Sequence, residues 1–294
     1  MPGIINLDVY VSPYKPVVSV VPAWDNSRPA TFPASSVSLL TGEKEAVLID
    51  ALITYDEAER LVEWIRAKRR TLTYVYITHG HGDHFFGLTT ILAAFPGAKA
   101  VALPEVVPFA REQLAPGYMG FWNALFPNQI PEHPLVPEPL EGDVIYLEGH
   151  QLRPIMVGQS DTAPSSVVHV PDLDAVVGGD VAYNGIHCWL AQTDHEKRKG
   201  WIAALDTIAA LNPKIVVAGH KDPNARDDDP PAILNATKAY IRDFDRFVRE
   251  CSTLAELIDK MMQRHGERGN PYTLWTAAYG VSEQLAGAKA AFDA

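Results

Sequence analysis

The sequence predicts an α/β fold built as two sheets flanked by helices, a layered sandwich. Three observations carry that reading. Short apolar runs alternate with amphipathic segments in the first half, closely spaced strand candidates fill the middle, and helical spacing dominates the end. A chain of 294 residues with 47% hydrophobic content can bury a substantial core, in one large domain or two smaller ones.

The elements follow in order. "EAVLID" (45–50) and "TYVYIT" (73–78) read as strands, and between them Ala58, Leu61, Val62 and Ile65 fall at i, i+3, i+4 and i+7, the stripe of a core-facing helix. Strand candidates continue with "KAVAL" (99–103), "DVIYLE" (143–148), "LRPIMV" (152–157), "SSVVHV" (165–170) and "DAVVGGD" (174–180), the later ones punctuated by turn residues such as Pro171-Asp172. Trp201, Leu205, Ile208 and Leu211 restore helical spacing before a strand "KIVVAG" (214–219) that runs into His220. Residues 116–139 hold six prolines with Tyr118, Phe121, Trp122 and Phe126, the composition of a long aromatic loop that could cover a site or simply pack on the core. Beyond His220 the chain reads as helical: Leu234, Ile241, Phe244 and Val248 share one stripe, and Leu254, Leu257, Ile258 and Met261 another. "GNPY" (269–272) starts a last helix, and the acidic "DDDPP" (227–231) reads as a helix start that complements the dipole.

Composition excludes several roles. With 25 Lys plus Arg against 36 Asp plus Glu, the formal charge of −11 disfavours a polyanionic partner, so nucleic acid is not expected. Cys188 and Cys251 lie far apart without CxxC spacing, which fits two core thiols in a reducing compartment. The N-terminus lacks a basic region followed by an apolar stretch, and no run reaches the ~18 apolar residues of a membrane span. A soluble cytoplasmic protein acting on a small molecule, without nucleic-acid or membrane partners, is the expectation; the oligomeric state, a homodimer among the options, stays open.

The densest signal is "YITHGHGDHFFG" (76–87), which places His79, His81, Asp83 and His84 within six positions directly after a buried strand. Imidazole and carboxylate are common ligands of divalent transition metals. In an extended loop His79 and His81 project to one side, while Gly80 and Gly82 let the backbone turn. Asp83 and His84 then face a second point, so one loop can serve two ions, which in two-metal hydrolases lie about 3.5–4 Å apart. His133, His150, His169, His195 and His265 lack ligand spacing and read as structural or exposed.

"THGHGDH" resembles the HxHxDH signature of the metallo-β-lactamase superfamily, and the resemblance extends over about residues 35–225 through Asp50, "VVGGD" ending in Asp180 and "VVAGH" ending in His220. It implies a four-layer αβ/βα sandwich with the site at the edge of the two sheets: a catalytic domain over 1–225 and a C-terminal helical extension over 226–294 packed on it. It implies His79, His81, Asp83, His84, Asp180 and His220 as metal ligands, with Asp180 bridging and Asp50 orienting ligands from behind. One position departs. Where relatives read "GHT", with that His as third ligand of the first metal, this chain reads "VGQSDT" and offers Gln159. Either Gln159 ligates weakly, Asp161 substitutes as a carboxylate, or only the second site fills tightly.

Two divalent ions, zinc first with iron or manganese as alternatives, would lower the pKa of bound water from about 15.7 to near 7 and polarise a carbonyl. Asp83 would orient or deprotonate the attacking water, and Tyr183 and His187, just past Asp180, are candidates to hydrogen-bond a substrate oxyanion. Fold alone does not choose among the superfamily's reactions. The aromatic segment and apolar C-terminal helices favour hydrolysis of a small, largely apolar carbonyl substrate, a lactone or ester. The alternatives are a mononuclear iron, sulfur-oxygenating enzyme resembling persulfide dioxygenases, and a metal-depleted binding protein.

Overall fold

The computed structural model describes residues 3–22, 24, 25 and 27–285; the end of the expected extension, 286–294, lies outside them. The first half contributes β1 (Asn6–Ser12), β2 (Lys15–Pro16), β3 (Thr31–Phe32), β4 (Ser35–Thr41), β5 (Glu45–Ile49), β6 (Thr71–Tyr76), β7 (Lys99–Ala102) and β8 (Glu138–Pro139). Its helices are α1 (Tyr55–Ala67), α2 (Gly82–Phe85), α3 (Leu88–Ala94), α4 (Val107–Glu112) and α5 (Pro116–Leu125). The second half contributes β9 (Ile145–Leu147), β10 (His150–Gly158), β11 (Ser165–Val170), β12 (Ala175–Asn184), α6 (His195–Ala210) and β13 (Ile215–Lys221), followed by α7 (Pro230–Glu250), α8 (Leu254–His265) and α9 (Pro271–Gly280).

The strands run in the order β8-β7-β6-β5-β4-β13-β12-β11-β10-β9, with β1 added on β4, so a curled sheet folds back on itself. The seam is narrow: β4 and β13 meet through the single register pair Ser35 and His220. Parallel pairs β5–β6 and β6–β7 are joined by helical crossovers, as are β12 and β13 through α6, whereas β9 to β12 form an antiparallel meander.

Three apolar clusters follow from this curl and give the sandwich its four layers. One packs Leu61, Val62 and Ile65 of α1 and Leu88 and Ile91 of α3 against Leu39, Leu48 and Val75. A second lies between the two halves of the sheet, where Val47, Ile49 and Tyr76 face Leu152, Val168 and Val177. The third packs Trp201, Leu205 and Ile208 of α6 with Leu234, Ile241 and Phe244 of α7 against Val176, Val181 and Val216. Asp229 caps α7 by accepting from the Ala232 N–H, and Pro230 takes its first position, so the acidic run is a helix start.

Two expectations change. Residues 116–125 of the proline- and aromatic-rich segment are helical, with Pro116 at the first turn and Trp122 and Leu125 buried, and 138–139 form β8; only 126–137 are irregular. The prolines after Phe126 break the helix, but Pro116 begins it, since a first-turn residue has no intrahelical N–H to lose. Gly80 and Gly82 do not adopt positive φ. They are needed for space: a Cβ at Gly80 would lie 2.7 Å from the Ala110 nitrogen, and one at Gly82 2.6 Å from the Phe86 ring.

Candidate metal centre

The loop after β6 delivers its donors to two adjacent groups. His79, His81 and Asp161 form one set and Asp83, His84 and His220 another, while Asp180 groups with His79 and His84 between them; the donor atoms within each set lie within 4.8 Å of one another. All seven residues are buried. In the first set Asp161 Oδ2 is 2.8 Å from His81 Nδ1, and Asp161 Oδ1 is 3.9 Å from His79 Nε2. In the second, Asp83 Oδ2 lies 3.4 Å from His84 Nε2 and 3.3 Å from His220 Nε2. Asp180 reaches both imidazoles, Oδ1 at 3.2 Å from His84 Nε2 and Oδ2 at 3.3 Å from His220 Nε2.

The strand geometry behind Asp180 is specific. The β12–β13 register shifts on either side of Gly179, so the strand bulges at Asp180 and continues to Asn184 instead of ending there. Gly179 has φ +48°, and a Cβ on it would lie 2.6 Å from Thr78 Oγ1; a Cβ on Gly219 would strike Asp180 Oδ1 at 2.3 Å. Glycine at both positions lets β12, β13 and the histidine loop close on one point.

Behind the donors stands a second set of contacts that orients the rings. Asp50 Oδ2 accepts from His84 Nδ1 at 2.9 Å, and Asp50 Oδ1 accepts from the Thr78 N–H at 2.9 Å. The Thr78 hydroxyl sits 3.1 Å from His79 Nδ1, and Ser35 Oγ 3.2 Å from His220 Nδ1. Tyr183 donates its hydroxyl to Asp180 Oδ2 at 2.8 Å. With their far nitrogens engaged, His79, His84 and His220 all turn Nε2 into the cluster, the arrangement that fixes tautomer and ring plane in metal sites.

Electrostatics shows the same design. Burial pushes His79 down to about 3, so it is a neutral imidazole. Burial opposes charge on His220 and His84 as well, but the carboxylates of Asp180 and Asp83 outweigh it, lifting His220 to about 10 and His84 well above its usual value. Burial likewise works against charge on Asp83 and Asp180, yet those imidazoles hold Asp83 down to about 2 and Asp180 well below the carboxylate range. His79 Nε2, His84 Nε2 and Asp180 Oδ1 are buried with no hydrogen-bond partner among the described residues. Orphaned buried donor atoms converging with carboxylates are costly unless something joins them. Divalent metal ions fit that requirement in charge and donor type.

Two expected site residues sit elsewhere. Gln159 is half-buried; its Nε2 donates to the Ser160 carbonyl at 2.9 Å, and its Cβ faces Gly200 of α6. The tight turn after β10 instead aims Asp161 inward, where Ser160 Oγ and the Thr162 N–H both donate to Oδ1 at 2.8 Å. His187 is not at the site. A turn at Gly185, φ +75°, carries it into the core against α7, where Nδ1 meets the Tyr240 hydroxyl at 2.9 Å. Burial beside Arg268 and His265 pushes it down to about 3.

The cluster forms the floor of a cavity of about 540 Å³. Phe32, Tyr118, Phe121, Trp122, Trp189 and Tyr272 wall it, joined by Gln113, Gln192, Thr273 and Thr276. The sequence points to the aromatic residues of 116–139 and, in general terms, to the apolar C-terminal helices, but not to Phe32, Trp189 or Gln192. Only the curl of the sheet brings α9 over the histidine loop; the N–H of Val20 donates to the Tyr272 hydroxyl at 2.9 Å, and Thr31 Oγ1 to Asn270 Oδ1, pinning α9 there.

Comparison with known proteins agrees with this fold. The sequence model of the metallo-beta-lactamase superfamily matches residues 30–220. A hydroxyacylglutathione hydrolase of Francisella tularensis subsp. novicida is 36% identical over 67 residues, 23% of this chain and 25% of that protein. A UPF0173 metal-dependent hydrolase of Staphylothermus marinus is 35% identical over 74 residues, 25% of this chain and 31% of that protein. The matches thus span only about a quarter to a third of these relatives. Among solved structures, a metallo-beta-lactamase family protein from Thermus thermophilus superposes with a TM-score of 0.62 at 18% identity, covering 93% of this chain and 91% of that one. A metallo-beta-lactamase from Pontibacter korlensis gives 0.57 at 19% identity, covering 80% and 94%.

Proposed function

This chain belongs to the metallo-beta-lactamase superfamily, and from that membership and the geometry of its donor cluster we propose that it is a metal-dependent hydrolase of a small, largely apolar carbonyl compound, a lactone or ester. One observation carries the reading: seven buried donors converge, and five of them, His81, Asp83, Asp161, Asp180 and His220, line an aromatic-walled cavity. His79, His81 and Asp161 would hold one divalent ion and Asp83, His84 and His220 a second, with Asp180 shared. When bound, such ions, zinc first with iron or manganese as alternatives, supply acidified water and a Lewis acid for the carbonyl.

The chain's own groups do the rest. Asp83, at the cavity floor, is ionised and positioned to orient water or accept its proton. Tyr183 holds the Asp180 carboxylate through its hydroxyl, so its part is positioning. The aromatic walls exclude water and dock the acyl or alcohol portion. The acidic balance supports a small-molecule substrate over nucleic acid or a membrane surface, and no helix among the described residues is long and apolar enough to cross a membrane. A cytoplasmic location is supported by two buried, unpaired thiols.

A panel of esters and lactones assayed on protein purified without chelator tests the proposal. Turnover that is abolished by chelation and restored by a divalent ion is expected; turnover indifferent to chelation would refute it. The His79–His81–Asp161 set also has the composition of a two-histidine, one-carboxylate iron site. That favours the sulfur-oxygenating enzyme as second reading, and oxygen consumption on a persulfide would select it.

A further inference from the structure

The cavity's charges are confined to its floor. Among the described lining residues the carboxylates and imidazoles are Asp83, Asp161, Asp180, His81 and His220; none is Lys or Arg. Above them the walls are aromatic or carry neutral amides and hydroxyls, Gln113, Gln192, Thr273 and Thr276. Lys197, whose Nζ donates to the Gln192 carbonyl, stands exposed outside the lining. Thr273 and Thr276 belong to α9, outside the stretch 30–220 that the family model matches.

A carboxylate entering such a cavity gives up hydration and meets no Lys or Arg among the described wall residues to replace it. An uncharged aryl or alkyl group loses little and gains apolar burial. Wall chemistry of this kind discriminates by penalising the wrong charge, not by adding a contact for the right one.

We propose that the substrate is uncharged away from its reacting carbonyl, a neutral aryl or alkyl ester or lactone, and that α9 enforces this, so that anionic acyl compounds, a hydroxyacylglutathione among them, are rejected. The inference rests on the reading that the cavity above the donor cluster is the substrate site.

Two matched probe pairs test it on the metal-loaded protein. The non-hydrolysable pair is N-(4-ethylphenyl)acetamide and 4-acetamidobenzoate, followed by quenching of tryptophan fluorescence, since Trp122 and Trp189 line the cavity. The hydrolysable pair is 4-ethylphenyl acetate and 4-acetoxybenzoate. A preference of about 100-fold for the neutral member is expected in both, the scale set by an unpaired buried charge. Thr276→Lys should tighten 4-acetamidobenzoate by about tenfold and weaken its neutral partner. Equal or tighter binding of the anion by the unaltered protein overturns the proposal, as does failure to bind the neutral amide. Should Thr276→Lys leave the preference unchanged, the role of α9 falls. Neutral-selective binding without cleavage of either ester would instead count against the hydrolase reading and leave the cavity's selectivity standing.

Discussion

Replacing Asp161 by asparagine isolates the carboxylate that completes the set with His79 and His81. The exchange keeps shape and removes one charge. The side chain is already fixed, Oδ1 by Ser160 Oγ and the Thr162 N–H at 2.8 Å each, and Oδ2 lies 2.8 Å from His81 Nδ1. A unit charge acting on another about 4 Å away is worth about 4 kcal/mol at an effective dielectric near 20. At about 1.4 kcal/mol per decade, that is roughly a thousandfold per unit of ion charge, a lower bound for the divalent ion held with His79 and His81. Competition against a chromophoric chelator reads the two dissociation constants separately. In Asp161→Asn one should weaken by at least that factor and the other should persist. Gln159→Leu should leave both unchanged, because the Gln159 amide is engaged with the Ser160 carbonyl. Retention of both constants in Asp161→Asn, or loss of one in Gln159→Leu, would refute the assignment.

Three further outcomes are expected. Asp50→Asn, which preserves a residue tolerant of the φ +65° found there, should weaken metal binding by about 10–100-fold with far-UV circular dichroism unchanged, since Asp50 orients His84 and Thr78; unaltered affinity would show that this orientation is not used. His187 is neutral in the fold at about 3 but protonates near 6.5 when unfolded, so its contribution is present above about 6.5 and falls by about 1.4 kcal/mol per pH unit as pH drops towards 3. His187→Gln should therefore flatten the loss of stability between pH 7 and 5 measured by urea unfolding, and an identical slope would contradict the assignment. Leu205→Ala, in the fully buried layer under α6, should cost about 2.7–5 kcal/mol in the same assay, and a negligible loss would deny that this layer is close-packed.

The strands near the site were legible because strands buried on both faces read as continuous apolar runs, as in β5 and the start of β13. β4 was not, since "SSVSLLT" carries three serines that read as turn residues. All seven of its residues are nonetheless buried, with Ser36 donating to the Ala218 carbonyl and Ser35 meeting His220. The histidine loop was legible because its donors are local in sequence. Choosing between Gln159 and Asp161 depended on which side of an irregular turn faces inward, and periodicity carries no information about a turn of that kind. His187 misled because closeness in sequence to Asp180 suggested closeness in space, whereas the turn at Gly185 sends it to Tyr240. The wall supplied by α9 depends on the closure of the whole sheet, and no local pattern records it.

The central claim is that one short loop, joined by Asp161, Asp180 and His220, holds two metal ions beneath an uncharged cavity. Anomalous diffraction at the metal absorption edge, from crystals of protein purified without chelator, tests it most directly. Two peaks are expected, one among His79, His81 and Asp161 and one among Asp83, His84 and His220, with Asp180 between them and the Gln159 amide outside both. A single peak, or a peak ligated by Gln159 in place of Asp161, would contradict the account.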